Sequence, residues 1–273
     1  APERFSPDLP GSSRLRAEHE ARYAFAASLA EGAEVLDVGA GAGGAAAACL
    51  ARGAKRVVTL DSSEDACGEL RRLFSGKTNV EILRAPAEEL PWKSPVFDLA
   101  LLFEAIEHVA DPGKVLSNIR QVLRPEGLLL LSAPAREYPP NPHHRQVFTR
   151  TSLEGLLRAH FPHVRFFRQQ NFWGTAVLPE SHPEASLPFA EGPADYWLAV
   201  ASSRKIERRF HPVLSAAPLE TYENGTLGRL AADLRHVQAE RDGLLSDLAA
   251  VRKSLRWRAT DRILSWLGLD GKK

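Results

Sequence analysis

Short apolar runs alternate along this chain with segments whose apolar residues recur every three or four positions. The runs at 34–38, 56–60, 80–84, 97–102, 127–132, 164–169 and 195–201 read as strands. The stretches at 17–30, 43–52, 64–75, 112–123 and 151–160 read as helices. Steady alternation of the two predicts an α/β fold, doubly wound, with a mostly parallel seven-stranded sheet covered on both faces. Pro125-Glu126-Gly127 predicts a turn between the fourth helix and the fifth strand. The segment 135–148, with Pro139, Pro140, Pro142 and the adjacent His143 and His144, fits no regular element. It follows the C-terminal end of a strand, where open α/β sheets bind ligands, and is expected to cover a substrate.

The pattern changes after Ser203. Residues 204–225 lose periodicity and carry Pro212, Pro218 and a basic cluster from Arg204 to Arg209, as a linker would. Leu227, Leu230, Leu234, Val237, Arg241, Leu244, Leu248, Val251 and Leu255 are then spaced alternately three and four apart. That heptad seam predicts a C-terminal coiled-coil helix over 226–258 and a homo-oligomer, with Asp247 and Arg252 at positions that can pair across it. Gly228 and Gly243 weaken the helix. The tail, 259–273, continues from Trp257 and Arg258 and contains Ile263, Leu264, Trp266 and Leu267. It reads as a basic amphipathic helix suited to an anionic membrane surface or to a protein partner. The expected domain is therefore 1–203, followed by linker, coiled coil and tail.

Chemistry enters at Val35-Leu36-Asp37-Val38-Gly39-Ala40-Gly41-Ala42-Gly43-Gly44, a strand running into a glycine turn and a helix. Asp61 closes the second strand about twenty residues past the first glycines, where a carboxylate can accept two ribose hydroxyls. The same frame suits a dinucleotide or S-adenosylmethionine. A dinucleotide would bring a pyrophosphate to the helix N-terminus, and Asp37 would be a poor neighbour for that anion. S-adenosylmethionine carries an ammonium and a sulfonium, so Asp37 favours it.

A formal charge of +1 argues against a general grip on nucleic acid. Cys49 and Cys67, the only cysteines, fall in separate helices and read as reduced thiols. No secretion signal is visible and no apolar run is long enough to cross a bilayer, so a cytoplasmic location is expected, with the tail able to reach the inner membrane face.

Several further segments carry a family resemblance. They are Glu3-Arg4-Phe5 with Pro7, Glu18-His19, Arg22-Tyr23, Phe103-Glu104-Ala105-Ile106-Glu107-His108, Leu123-Arg124-Pro125-Glu126-Gly127, Ser132-Ala133-Pro134, Asn141-Pro142-His143-His144 and Phe148-Thr149. With the glycine motif they make residues 3–202 resemble class I S-adenosylmethionine-dependent methyltransferases, in the bacterial branch associated with surface polysaccharides. The coiled coil and the Ser254-Leu255-Arg256-Trp257-Arg258 segment are similar to tails of glycan-assembly proteins.

The resemblance implies that Asp37, Gly39, Ala40 and Gly41 line the methionine end of S-adenosylmethionine, that Asp61 and Ser62 hold the ribose, and that Ala87 and Glu88 lie against adenine. Phe103 and Glu104 would flank the methyl donor. Two departures stand out: Pro86 replaces the usual adenine-binding aspartate, and Ala42 and Gly44 replace a glutamate and a tyrosine. The implied reaction is methyl transfer to a sugar hydroxyl of a nucleotide sugar or surface glycan. His108, His143 and His144 are the candidate bases, Glu107 is placed to orient His108 or to pair with Arg124, and His19 and Tyr23 are candidate lids. No metal is expected, because adjacent histidines ligate jointly only with difficulty and no carboxylates accompany them. The rival readings are a methyltransferase for quinones or secondary metabolites and a non-enzymatic scaffold.

Overall fold

The computed structural model describes residues 12–135, 142–171, 174–179, 194–208, 210 and 213–216. Five helices form at or near the expected stretches, the first starting five residues earlier and ending at Ala27: α1 (Ser12–Ala27), α2 (Gly44–Ala51), α3 (Glu64–Leu73), α4 (Pro112–Val122) and α5 (Arg150–His160). The strands are β1 (Glu34–Val38), β2 (Arg56–Asp61), β3 (Val80–Arg84), β4 (Phe97–Phe103), β5 (Leu123–Pro134), β6 (His163–Asn171), β7 (Gly174–Pro179), β8 (Tyr196–Ser202) and β9 (Val213–Ala216). They make one sheet in the order β3-β2-β1-β4-β5-β8-β6-β7-β9. The first five in that order run parallel; β8, β6, β7 and β9 add antiparallel pairs.

All seven expected strands are present, and two more extend the sheet. Strand β7 pairs with β6, and β9 pairs with β7. The second pairing corrects the reading of 204–225 as linker throughout. Ile206 is buried, and Phe210 packs on Phe25 and Phe167 at ring separations of 5.8 and 5.2 Å. The compact unit runs to Ala217. Two isolated apolar residues inside a basic run show no period, so only their contacts reveal that they belong to the core.

The Pro125-Glu126-Gly127 turn also lies elsewhere than expected. It interrupts β5 instead of preceding it: Phe97 pairs with Leu123, and the register resumes at Leu99 with Leu128. A Cβ on Gly127 would stand 2.9 Å from the Arg124 carbonyl oxygen, so the loop-out requires glycine.

Alternation along the strands divides the core. Leu36, Val58, Ala100 and Leu102 face α4 and α5, where Val115, Leu116, Ile119, Leu153 and Leu157 are buried. Val35, Val57, Leu99 and Leu101 face the other way, against Ala21, Phe25, Ala46 and Cys49 of α1 and α2. Asp37 has the parity of Val35 and therefore points towards α1 and α2. Both cysteines are free and buried. Among the described residues no helix is long and apolar enough to cross a membrane. The coiled coil at 226–258, the tail at 259–273, Glu3-Arg4-Phe5, Pro7 and Asn141 lie outside the described residues.

Candidate active site at the C-terminal ends of the parallel strands

The glycine turn leaves β1 and is tied to β2: the N–H groups of Gly39 and Ala40 donate to the Leu60 carbonyl at 2.8 and 3.2 Å. Gly39 has φ 73°, and a Cβ there would lie 2.8 Å from that of Ala105, so only glycine lets the turns after β1 and β4 approach each other. Asp61, at the end of β2, holds both flanks of the turn. Its Oδ2 accepts the Gly41 N–H at 3.0 Å and its Oδ1 accepts the Ser63 N–H at 2.9 Å. Each oxygen keeps a second lone pair for a ligand hydroxyl. Ser62, next in the chain, is exposed.

Asp37 is 2% exposed. The Ala46 N–H on α2 serves its carboxylate, while Oδ2 is buried without a hydrogen-bond partner among the described residues. Burial, opposed by the Ala46 hydrogen bond and assisted by the nearby Asp61 charge, pushes its pKa up to about 7. A buried, half-neutral carboxyl with an open oxygen is stabilised by a cation.

Helix α1 supplies the opposite charge. Arg22 is fully buried; its Nη1 donates to Gln169 Oε1 at 2.9 Å and its guanidinium lies 4.5 Å from the centre of the Tyr196 ring. Nε and Nη2 of Arg22 are buried with no acceptor among the described residues. The Tyr196 hydroxyl donates to Glu18 at 2.7 Å, and the Gln169 amide donates to the Glu18 carbonyl at 2.9 Å. Beside Arg22, Tyr23 and His19 share a hydrogen bond of 3.2 Å. Burial, with the Arg22 charge, lowers the His19 pKa to about 2; burial raises Tyr23 to about 12, with Asp37 and Glu104 contributing. Both rings are neutral at physiological pH. Tyr23 covers the glycine turn so closely that a Cβ on Gly44 would come within 2.3 Å of its ring.

Glu104 follows β4 at φ 48°, the one non-glycine residue with positive φ among those described. Ser132 of β5 holds it there. The Glu104 N–H donates to Ser132 Oγ at 3.2 Å, and that hydroxyl donates back to the Glu104 carboxylate at 2.6 Å. Phe103, which pairs with Ser132 in the sheet, is partly buried just before it. Beyond the end of β3, Glu88 braces the framework. Its carboxylate accepts the Ala110 N–H at 3.0 Å, and its carbonyl accepts from Asn118 at 2.7 Å. Ala87 packs partly buried beside the core.

The histidines assemble differently from the expectation. The His108 and His144 rings meet edge to face with centres 4.7 Å apart. His108 Nδ1 lies 3.2 Å from the His143 carbonyl. Glu107, 1% exposed, places Oε1 4.0 Å from His108 Nε2. Arg124 pairs with Asp98 at 2.6 Å, so it is not the partner of Glu107. Thus His108 and His144 converge with a carboxylate, while His143 contributes its backbone.

Three residues of this region escape sequence reading in their roles. Ser132 orients Glu104, whereas Gln169 and Tyr196 flank Arg22. Ser132 stands in a recognised motif; Gln169 and Tyr196 lie on late strands, far from Arg22 in the chain, with no local signal.

Parallel strands in the order β3-β2-β1-β4-β5, a glycine turn after β1, an acidic residue ending β2 and a reversed β8 make a Rossmann-like sheet similar to that of methyltransferases. Comparison with known proteins agrees. Residues 36–131 match the family model described as a methyltransferase domain. A protein of Mycobacterium tuberculosis named as a probable S-adenosylmethionine-dependent methyltransferase is 31% identical over 164 residues, 57% of this chain and 58% of that protein. A ubiquinone biosynthesis O-methyltransferase of Leptothrix cholodnii is 36% identical over 105 residues, 37% of this chain and 44% of that protein. The chain thus spans less than two thirds of the length of these curated relatives. A possible histamine N-methyltransferase of Thermotoga maritima shares the fold, with a TM-score of 0.53 at 18% identity over 71% of this chain and 92% of that one. Over residues 36–131 the chain is thus similar to methyltransferase domains, and it shares the fold of S-adenosylmethionine-dependent methyltransferases.

Proposed function

We propose that the chain transfers a methyl group from S-adenosylmethionine to a hydroxyl of a sugar, carried on a nucleotide or a surface glycan. The observation that carries the cofactor half lies around Tyr23: among the described residues, one carboxylate oxygen of Asp37 and two N–H groups of Arg22 have no hydrogen-bond partner. The methionine end of the cofactor bears an ammonium and a carboxylate, which these two side chains complement. Asp61 would hold the ribose, and the Gly39–Gly41 backbone leaves room for close approach.

S-adenosylmethionine supplies a methyl carbon whose bond to sulfur breaks, leaving its electron pair on sulfur, as the acceptor oxygen bonds to it. The protein's own work is placement. Tyr23 and α1 exclude water from above the turn, and the Ser132–Glu104 pair fixes a carboxylate at the end of β4. His108 and His144, at the mouth, are placed to take the acceptor's proton.

The sugar half rests on the polar character of that mouth. Glu104, His108 and His144, all partly exposed, offer hydrogen bonds to a polyol, and the resemblance to the polysaccharide-associated branch points the same way. The matched ubiquinone O-methyltransferases support a second reading, a phenolic or quinol acceptor. In either case the heptad seam would assemble the chain into an oligomer, and the tail would bring it to a membrane or a glycan-assembly partner.

Isothermal titration with S-adenosylmethionine and S-adenosylhomocysteine tests the first half; micromolar binding of both is expected, and binding of neither overturns it. A methyl-transfer assay over nucleotide sugars and catechols tests the second, and turnover of catechols alone would replace the sugar with a phenol.

A further inference from the structure

Among the described residues Glu104 alone carries a side chain at positive φ, 48°. Left-handed backbone suits glycine, and a glutamate there is strained. Ser132 of β5, fully buried, holds it in place. The Glu104 N–H donates to the Ser132 carbonyl and to its Oγ, each at 3.2 Å, and the Ser132 hydroxyl donates to Glu104 Oε1 at 2.6 Å. That last bond spends the hydroxyl's one proton on the carboxylate, so Ser132 fixes where the charge sits as well as how the backbone turns. It fills one of about four acceptor positions on the carboxylate.

The fixed charge borders the space assigned above to the cofactor. The turn that carries Glu104 meets the glycine turn where Gly39 faces Ala105. Burial raises the Tyr23 and Tyr196 hydroxyls, and the Glu104 charge contributes at both. The carboxylate is therefore within electrostatic reach of the ring that covers the glycine turn and of the ring beside Arg22. Strands β2, β1 and β4 are neighbours in the sheet, and each brings one carboxylate to this end: Asp61, Asp37 and Glu104. Two other acidic groups near these rings are engaged elsewhere: Glu18 accepts the Tyr196 hydroxyl, and Glu20 pairs with Arg16.

The cofactor reading gives the ribose to Asp61, the ammonium to Asp37 and the carboxylate to Arg22. It leaves the sulfonium, which lies between the ribose and the methionine head. Resting on that reading, we propose that Glu104, positioned by Ser132, is the counter-charge to the sulfonium and makes the site distinguish S-adenosylmethionine from S-adenosylhomocysteine. Methyl transfer breaks the bond from sulfur to the methyl carbon, leaves its electron pair on sulfur and passes the acceptor's proton to a base. The cofactor thereby loses the positive charge that faced Glu104, while its other contacts persist. A fixed carboxylate attracts a cation over several ångströms and a neutral thioether hardly at all. Exchange of the spent cofactor for a fresh one follows from that difference.

The test is calorimetry on the intact chain with S-adenosylmethionine, S-adenosylhomocysteine and sinefungin, whose ammonium stands where the methylsulfonium would be. Glu104→Gln keeps the size of the side chain and an acceptor for Ser132. It should weaken S-adenosylmethionine and sinefungin by about tenfold or more and S-adenosylhomocysteine by less than about threefold. Ser132→Ala should shift the ratio of affinities the same way, and Ser132→Thr, which keeps the hydroxyl, should restore it. S-adenosylhomocysteine binding reports in each case that the site is intact. Equal losses for all three ligands would assign Glu104 to a part they share and overturn the proposal, as would a ratio unchanged in Glu104→Gln. Binding of none of them by the wild type would overturn the cofactor reading itself.

Discussion

Asp37 concentrates the consequences of burial at a single residue. In the unfolded chain its pKa is near the ordinary 3.8, whereas in the folded protein it is about 7. The folded carboxyl therefore binds a proton more tightly, and the stability this contributes is full below the unfolded value and lost as pH rises through about 7. A ligand cation beside Asp37 prefers the carboxylate and must displace that proton. Cofactor affinity should consequently fall about tenfold per pH unit below pH 7, with one proton released on binding at pH 6, measured by calorimetry in buffers of different ionisation enthalpy. Asp37→Asn should flatten this dependence and cost about 10- to 100-fold in affinity. The same variant should stabilise the unliganded protein at pH 8 by roughly 1–3 kcal/mol in urea unfolding. A variant that binds as tightly as wild type would remove Asp37 from the cofactor site.

At the scale of elements, the contact between α1 and α2 decides whether the turn is covered. Gly44 begins α2, and the Tyr23 ring occupies the space its side chain would fill. Gly44→Val should push Tyr23 aside, break its hydrogen bond with His19 and open the cover. The expected result is a tenfold or greater loss of S-adenosylhomocysteine affinity with about 1–3 kcal/mol of stability lost. Tyr23→Ala in the same background should add little further, because the two substitutions disturb one contact. Additive losses in calorimetry would show that α1 does not act through Tyr23.

At the scale of the whole molecule, the domain boundary follows from packing. Ile206 is buried, Phe210 packs on Phe25 and Phe167, and β9 pairs with β7, so a chain ending at Ser203 loses these contacts, the Ile206 burial alone being worth roughly 1.5–3 kcal/mol. A chain ending at Ala217 keeps them. The shorter form is expected to unfold at lower temperature than the longer in a thermal melt, and the longer to match the intact protein. If the heptad seam assembles the protein, light scattering should give a monomer mass for the form ending at Ala217 and a multiple for the intact chain. Equal subunit numbers would dismiss the coiled coil.

The sequence by itself determined the α/β alternation, the position of the glycine turn and the acidic residues that end or border its strands. These are local properties, written in apolar runs, in glycines that accept positive φ, and in carboxylates a fixed distance from them. Tertiary structure alone decided the rest. β9 joins the sheet because β7 offers an edge, and Phe210 packs on Phe25 and Phe167, yet no period in 204–216 announces either. Gln169 and Tyr196 surround Arg22 from distant strands, and its Nε and Nη2 meet no acceptor among the described residues. His144 meets His108 and Glu107, not its neighbour His143, because two loops cross above the sheet. Contacts between residues far apart in the chain depend on how strands are ordered and loops laid over them, and periodicity carries no record of that ordering.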